Sequence, residues 1–167
     1  MLTTAYVIGW SAAGKLAVMP RPAGGERLAD EVENLRRHGV DTVVSALTDA
    51  ECDLMGLRGE EHAVRAAGMR FVSFPIPDFG VPDFTSYQEL TARLAEEVAA
   101  GRFVLAHCHG GIGRATVIAG GVLIRLGASA ADAMAAIGAA RGLPVPETEP
   151  QRAILARLAG LAGPRQT

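Results

Sequence analysis

Cys108 and Arg114 are separated by five residues in the run His107-Cys108-His109-Gly110-Gly111-Ile112-Gly113-Arg114. A thiol attacks as its thiolate, which a helix N-terminus, neighbouring cations and converging backbone N–H groups all favour. The glycines at 110, 111 and 113 suit a loop that needs positive φ and close backbone approach to a ligand. Arg114 offers a planar fork of donors matched to two oxygens of a phosphate. These residue types in this order suit nucleophilic displacement at phosphorus through a covalent thiophosphate. The departing oxygen then needs a proton. Asp78, in Phe74-Pro75-Ile76-Pro77-Asp78-Phe79-Gly80-Val81-Pro82-Asp83, is the candidate acid. Asp83 is its rival, although that residue reads better as the start of the next helix.

The elements around these residues are legible. Arg102–Ala106 is a hydrophobic run and Ala115–Leu126 a helix former, so the cysteine loop joins a strand to a helix. The N–H groups of residues 109 to 114 then form a cradle for an anion. The acid loop follows the strand Arg70–Phe74 and is marked by its prolines and glycine. In a sheet of this type, functional loops leave the carboxyl ends of neighbouring strands, which would bring Asp78 to Cys108. Elsewhere, strands are expected over Tyr6–Trp10, Lys15–Met19 and Asp41–Leu47. Helices are expected over Glu26–His38, Asp49–Met55, Glu60–Ala67, Ser86–Ala100, Ser129–Ala140 and Pro150–Leu161. Ser86 and Glu89 form a capping-box pair at the start of the fourth of these. Strands alternate with helices, so the fold class is α/β.

The signature His-Cys-x-x-Gly-x-x-Arg, complete from His107 to Arg114, resembles that of the cysteine-dependent protein tyrosine phosphatases. The likeness is to the small dual-specificity branch. Asp78 lies thirty positions before Cys108, as suits that family's general-acid loop, and its surroundings resemble the loop of kinase-associated phosphatases. Arg141 to Gln151 is similar to the segment that carries a water-positioning glutamine, with Gln151 the matching residue. The resemblance implies a single domain over residues 1–163 with a short tail at 164–167. It further implies a central, mostly parallel (mixed) twisted sheet with helices on both faces. It implies catalysis by Cys108, Arg114, Asp78 and Gln151, and phosphate binding by His109, Gly110, Gly111, Ile112, Gly113 and Arg114. His107 supports the loop as a hydrogen-bonded core histidine. His109 either contacts substrate or sits at the rim. One position departs from the pattern: the usual Ser or Thr after the arginine is Ala115. Phosphatases of regenerating liver share that alanine, which implies slow breakdown of the phosphocysteine unless the Thr116 hydroxyl turns inward. Some relatives pair the catalytic cysteine with a second one; here Cys52 reads as a plain thiol.

Composition sets the remaining bounds. A chain of 167 residues can form one domain with a full core. A net charge of −2 gives no bulk attraction to nucleic acid or to an anionic membrane. Two cysteines are too few for a secreted disulfide scaffold, and the N-terminus lacks the basic region of a secretion signal. A cytoplasmic, soluble protein is expected. Gly9 to Lys15 matches a nucleotide phosphate loop in part, but Leu16 replaces the Mg²⁺-binding hydroxyl and Pro20 and Pro22 interrupt the required helix. His107-Cys108-His109 cannot easily converge on one ion, so no metal and no cofactor are implied. The expected partners are a phosphorylated protein or small molecule, with phosphate, sulfate or vanadate binding in the loop. A phospho-ligand binding module with poor turnover, a non-protein phosphatase, a sulfurtransferase and an arsenate reductase are the rival readings.

Overall fold

The computed structural model describes residues 1–162. The expected domain end at 163 and the tail at 164–167 lie outside the described residues. Five strands form one sheet in the order β1-β2-β5-β3-β4, from β1 (Tyr6–Val7), β2 (Lys15–Met19), β3 (Thr42–Ser45), β4 (Arg70–Ser73) and β5 (Phe103–His107). Only β1 runs antiparallel to its neighbour. The mixed, mostly parallel sheet is thus as expected, although the first strand pairs over two residues rather than five.

Among the described residues seven α-helices cover the sheet: α1 (Leu28–Arg37), α2 (Asp49–Met55), α3 (Glu60–Ala66), α4 (Phe84–Ala99), α5 (Arg114–Arg125), α6 (Ala130–Arg141) and α7 (Glu149–Ala162). Strand residues alternate between two apolar cores, because successive side chains point to opposite faces. Leu16, Val18, Val44, Val104 and Ala106 face the core under α4, α5, α6 and α7. Ala17, Met19, Val43, Phe103 and Leu105 face the core beneath α1 and α3. Helix α5 lies in the middle of the first core and is buried from Arg114 to Ile124. Its all-round apolarity is what a fully enclosed helix requires.

The start of the fourth expected helix needs correction. Helix α4 starts at Phe84, and its N-cap is Asp83, whose carboxylate accepts from Ser86 N and Ser86 Oγ at 2.9 Å each. Ser86 therefore lies inside the first turn and does not cap with Glu89. Residues 8 to 14 connect β1 to β2, and, as expected, Lys15 opens a strand rather than a phosphate-loop helix; its ammonium lies over the Phe103 ring. Among the described residues no helix is long and apolar enough to cross a membrane.

Candidate active site

Strand β5 sits at the centre of the sheet and delivers His107 and Cys108 to opposite faces, as strand alternation dictates. Cys108 joins the core beneath α5 and is 2% exposed. His107 is fully buried on the other face, where its Nε2 meets Glu60 Oε1, at the start of α3, at 2.6 Å. The loop then doubles back on itself. Gly111 has φ +70 and its N–H donates to Cys108 Sγ at 3.2 Å. A Cβ at Gly111 would stand 2.5 Å from the Met19 carbonyl carbon, so only glycine fits there. Ile112 packs on the first core, and His109 is exposed at the rim.

Arg114 opens α5 and is 2% exposed, yet its guanidinium is almost fully bonded. Nη1 and Nη2 grip the two Glu51 carboxylate oxygens at 2.7 and 2.8 Å. Nη1 also donates to Ile76 O at 2.9 Å, and Nη2 lies 3.1 Å from Asp78 Oδ1. Burial opposes this charge, but the Glu51 hydrogen bonds and the nearby Cys108, Glu51 and Asp78 raise the Arg114 pKa above its ordinary value. The same Arg114 hydrogen bonds draw the Glu51 carboxyl down to about 2, against the opposing effect of its partial burial. Glu51 occupies the end of the fork. Nη2, shared between Glu51 and Asp78, marks the side edge of the fork.

The acid loop is fixed by extending the sheet pairing beyond β4. Phe74 N and Ile76 N donate to Ser45 O and Ala46 O at 2.8 and 3.0 Å. This buries Ile76 and directs its carbonyl at Arg114. Pro77 to Gly80 close a turn with a 2.8 Å bond, and Phe79 within it has φ 61. A positive φ at a bulky residue is uncommon and holds Asp78 on the Arg114 side. The Asp78 side chain remains about half exposed. Gln151, in the first turn of α7, is fully buried. Its Nε2 donates to Gly80 O at 3.2 Å, and its Oε1 accepts from Glu147 N and Thr148 N. A Cβ on Gly113 would come within 2.9 Å of both Gln151 amide atoms. Gln151 therefore bridges the acid loop and the cysteine loop.

Three residues at the site were not singled out from the sequence: Glu51, Glu60 and Arg141. Thr48-x-x-Glu51 is a capping box at α2, a local signal that was available. Glu60 and Arg141 carry no such signal, since their partners are 47 and about 30 residues away in the chain. Cys52 packs on the opposite side of the sheet from Cys108, and both thiols are free. Burial first, and then Glu60, Asp49, Glu51 and Asp53, push the Cys52 thiol up.

Residues 17–128, about two thirds of the chain, match the family described as Tc-R-P, polymorphic toxin system, DSP-PTPase phosphatase. The chain belongs to this family of dual-specificity phosphatases. The matched region includes Asp78, Cys108 and Arg114; Gln151 lies beyond it. Cyclin-dependent kinase inhibitor 3 of Rattus norvegicus is 30% identical over 96 residues, 58% of this chain and 45% of that protein. The Mus musculus protein is 30% identical over 89 residues, 53% and 42% of the respective chains. The chain thus spans less than half the length of these curated relatives. Kinase associated phosphatase with its catalytic cysteine changed to serine superposes with a TM-score of 0.87 at 20% identity, covering 97% of both chains. Tk-PTP in its active form gives 0.73 at 26% identity, covering 93% of this chain and 97% of that one. Dual-specificity phosphatases are cysteine-dependent, and the fold with its cysteine loop agrees with that class.

Proposed function

We propose that the protein hydrolyses phosphomonoesters of proteins through a phosphocysteine on Cys108. The observation that carries this is the Gly111 N–H directed at Cys108 Sγ while Arg114 stands buried beside Asp78. The phosphoryl oxygens lie against the amides of residues 109 to 114 and the side edge of Arg114. Cys108 thiolate attacks phosphorus, and the bond to the leaving oxygen breaks. Asp78, in its acid form, gives that oxygen its proton. Water then attacks the phosphocysteine, with Gln151 orienting it and the Asp78 carboxylate taking its proton; phosphate leaves and the thiolate returns. Arg114 and the loop amides offset the transition-state charge, so the chemistry calls for no metal. His109, exposed at the rim, is read as a contact for the substrate backbone. A reduced compartment such as the cytoplasm suits a nucleophile that must stay a free thiol.

The test is hydrolysis of p-nitrophenyl phosphate and of phosphopeptides in chelator-treated buffer. Cys108→Ser should abolish turnover yet retain vanadate. Acid quenching of the unsubstituted protein should trap one phosphoryl group on Cys108. Retained hydrolysis by Cys108→Ser under these conditions would rule out the thiophosphate route.

A further inference from the structure

The loop around Cys108 turns its carbonyls outward, and three successive ones have partners. His109 O accepts from Arg21 N at 3.1 Å. Gly110 O accepts from Arg141 Nη2 at 3.1 Å, and Gly111 O accepts from Arg141 Nε, also at 3.1 Å. Arg141 is the last residue of α6 and meets the loop from its carbonyl side. Its guanidinium carbon is 4.1 Å from the centroid of the Tyr6 ring in β1. One planar fork therefore holds two consecutive peptide groups, and an aromatic face holds the fork.

In a planar trans peptide the C=O and the following N–H point in opposite directions. Fixing the Gly110 and Gly111 carbonyls outside therefore fixes the N–H groups of Gly111 and Ile112 inside. The first of these is seen, as the Gly111 N–H on Cys108 Sγ. The need for a clamp follows from the sequence. Gly110 and Gly111 are adjacent glycines, the least restricted pair in the loop. A flipped peptide here would aim a carbonyl oxygen at the thiolate and at the phosphoryl oxygens. A cation on the outer carbonyls opposes that flip, because it draws the negative end of each peptide dipole outward.

We propose that Arg141 is a positioning residue of the anion cradle: its fork keeps the Gly111 and Ile112 amides facing Cys108 and the phosphoryl group, and Tyr6 keeps the fork in place. This rests on the reading of the loop as a phosphate site. It ties the short first strand and the end of α6, both distant in sequence, to the reacting centre.

The experiment compares Arg141→Met, Arg141→Lys, Tyr6→Leu and Tyr6→Phe in the full chain. It measures vanadate inhibition, kcat and KM for an aryl phosphate, the melting temperature, and the ¹⁵N–¹H resonances of Gly111 and Ile112. Arg141→Met should weaken vanadate about 10- to 100-fold and lower kcat/KM in proportion, as expected for lost bonds from a charged donor. Its Gly111 and Ile112 resonances should move in the anion-free protein. Arg141→Lys should stay within about threefold of Arg141→Met, since a point donor cannot hold both carbonyls. Tyr6→Phe should match the unsubstituted protein, and Tyr6→Leu should fall between it and Arg141→Met. Unchanged vanadate affinity in Arg141→Met overturns the proposal. Full recovery in Arg141→Lys overturns it too, because charge alone would then suffice. A lowered melting temperature with Gly111 and Ile112 resonances unmoved would make Arg141 only an anchor for α6. Should the unsubstituted protein neither bind vanadate nor turn over, the phosphatase reading fails, while the two amide resonances still test the clamp.

Discussion

Ala115 follows Arg114 and is fully buried in the first turn of α5, with no side-chain donor to offer Cys108. The next hydroxyl does not take over: Thr116 Oγ1 is buried without a hydrogen-bond partner. In the proposed second step the departing Cys108 thiolate thus lacks a hydroxyl donor. Rapid mixing with p-nitrophenyl phosphate should show a burst of about one equivalent and then a slower steady state. Ala115→Ser should raise the steady rate about three- to tenfold, the value of one added hydrogen bond. No burst, with kcat unchanged in that variant, would remove dephosphorylation as the bottleneck. Glu51 shapes the same step from the other side by holding the end of the Arg114 fork. Its carboxyl is drawn from an ordinary 4.5 to about 2, so it contributes stability that is complete above 4.5 and is lost as pH falls towards 2. Glu51→Gln should flatten the acid limb of a stability curve in that window. It should also lower kcat/KM about 10- to 100-fold at neutral pH by freeing the guanidinium. An acid limb identical to that of the unsubstituted protein would show that Glu51 is not the group titrating there.

At the scale of elements, the acid loop and α4 separate two aspartates that the sequence leaves as rivals. Asp83 is committed to capping through Ser86, whereas Asp78 reaches Arg114. Asp83→Ala should therefore lower the melting temperature through the lost N-cap. The same variant should leave the ratio of rates on poor and good leaving groups unchanged. Asp78→Asn should do the reverse, slowing poor leaving groups far more than p-nitrophenol. A leaving-group effect in Asp83→Ala would exchange their roles. This contrast also marks what was legible beforehand. The strand, glycine loop and helix around Cys108 are local, and each follows from residues within one turn of its neighbours. The α4 cap is ambiguous in the sequence because Ser86 can both donate and accept, and only the Asp83 side chain three residues earlier decides which. Strand β1 is shorter than expected because its last bond to β2 runs from Ile8 N to Leu16 O, before Gly9 and Trp10, a matter of register that periodicity does not carry. The role of Arg141 has no local signal, since the carbonyls it meets become neighbours only once α6 packs beside the loop.

Across the whole molecule, the sheet separates two cores, and the site draws on both. Cys108 belongs to the core under α5, while His107 is held on the other face by Glu60, with 0% and 3% of their side chains exposed. The α3 face of the sheet is therefore mechanically linked to the cysteine through one strand residue. The link is a single hydrogen bond: Glu60 Oε2 and His107 Nδ1 are both buried without a partner. Glu60→Leu would strand His107 Nε2 in an apolar core, at a cost of about 1–3 kcal/mol for an unmet buried polar group. For a domain of this size that lowers the melting temperature by about 2–4 °C per kcal/mol. Val64→Ala is the matched control. Val64 is fully buried in the same helix, and its truncation leaves a cavity in the second core without touching His107. If the Glu60 bond orients the base of the cysteine loop, Glu60→Leu should lower kcat/KM well below the melting range, and Val64→Ala should not. Glu60→Gln, whose amide oxygen can still accept from Nε2–H, should recover much of the loss. Equal activity in Glu60→Leu and Val64→Ala at matched stability would reduce Glu60 to packing alone, and the cysteine loop would then depend only on its own face of the sheet.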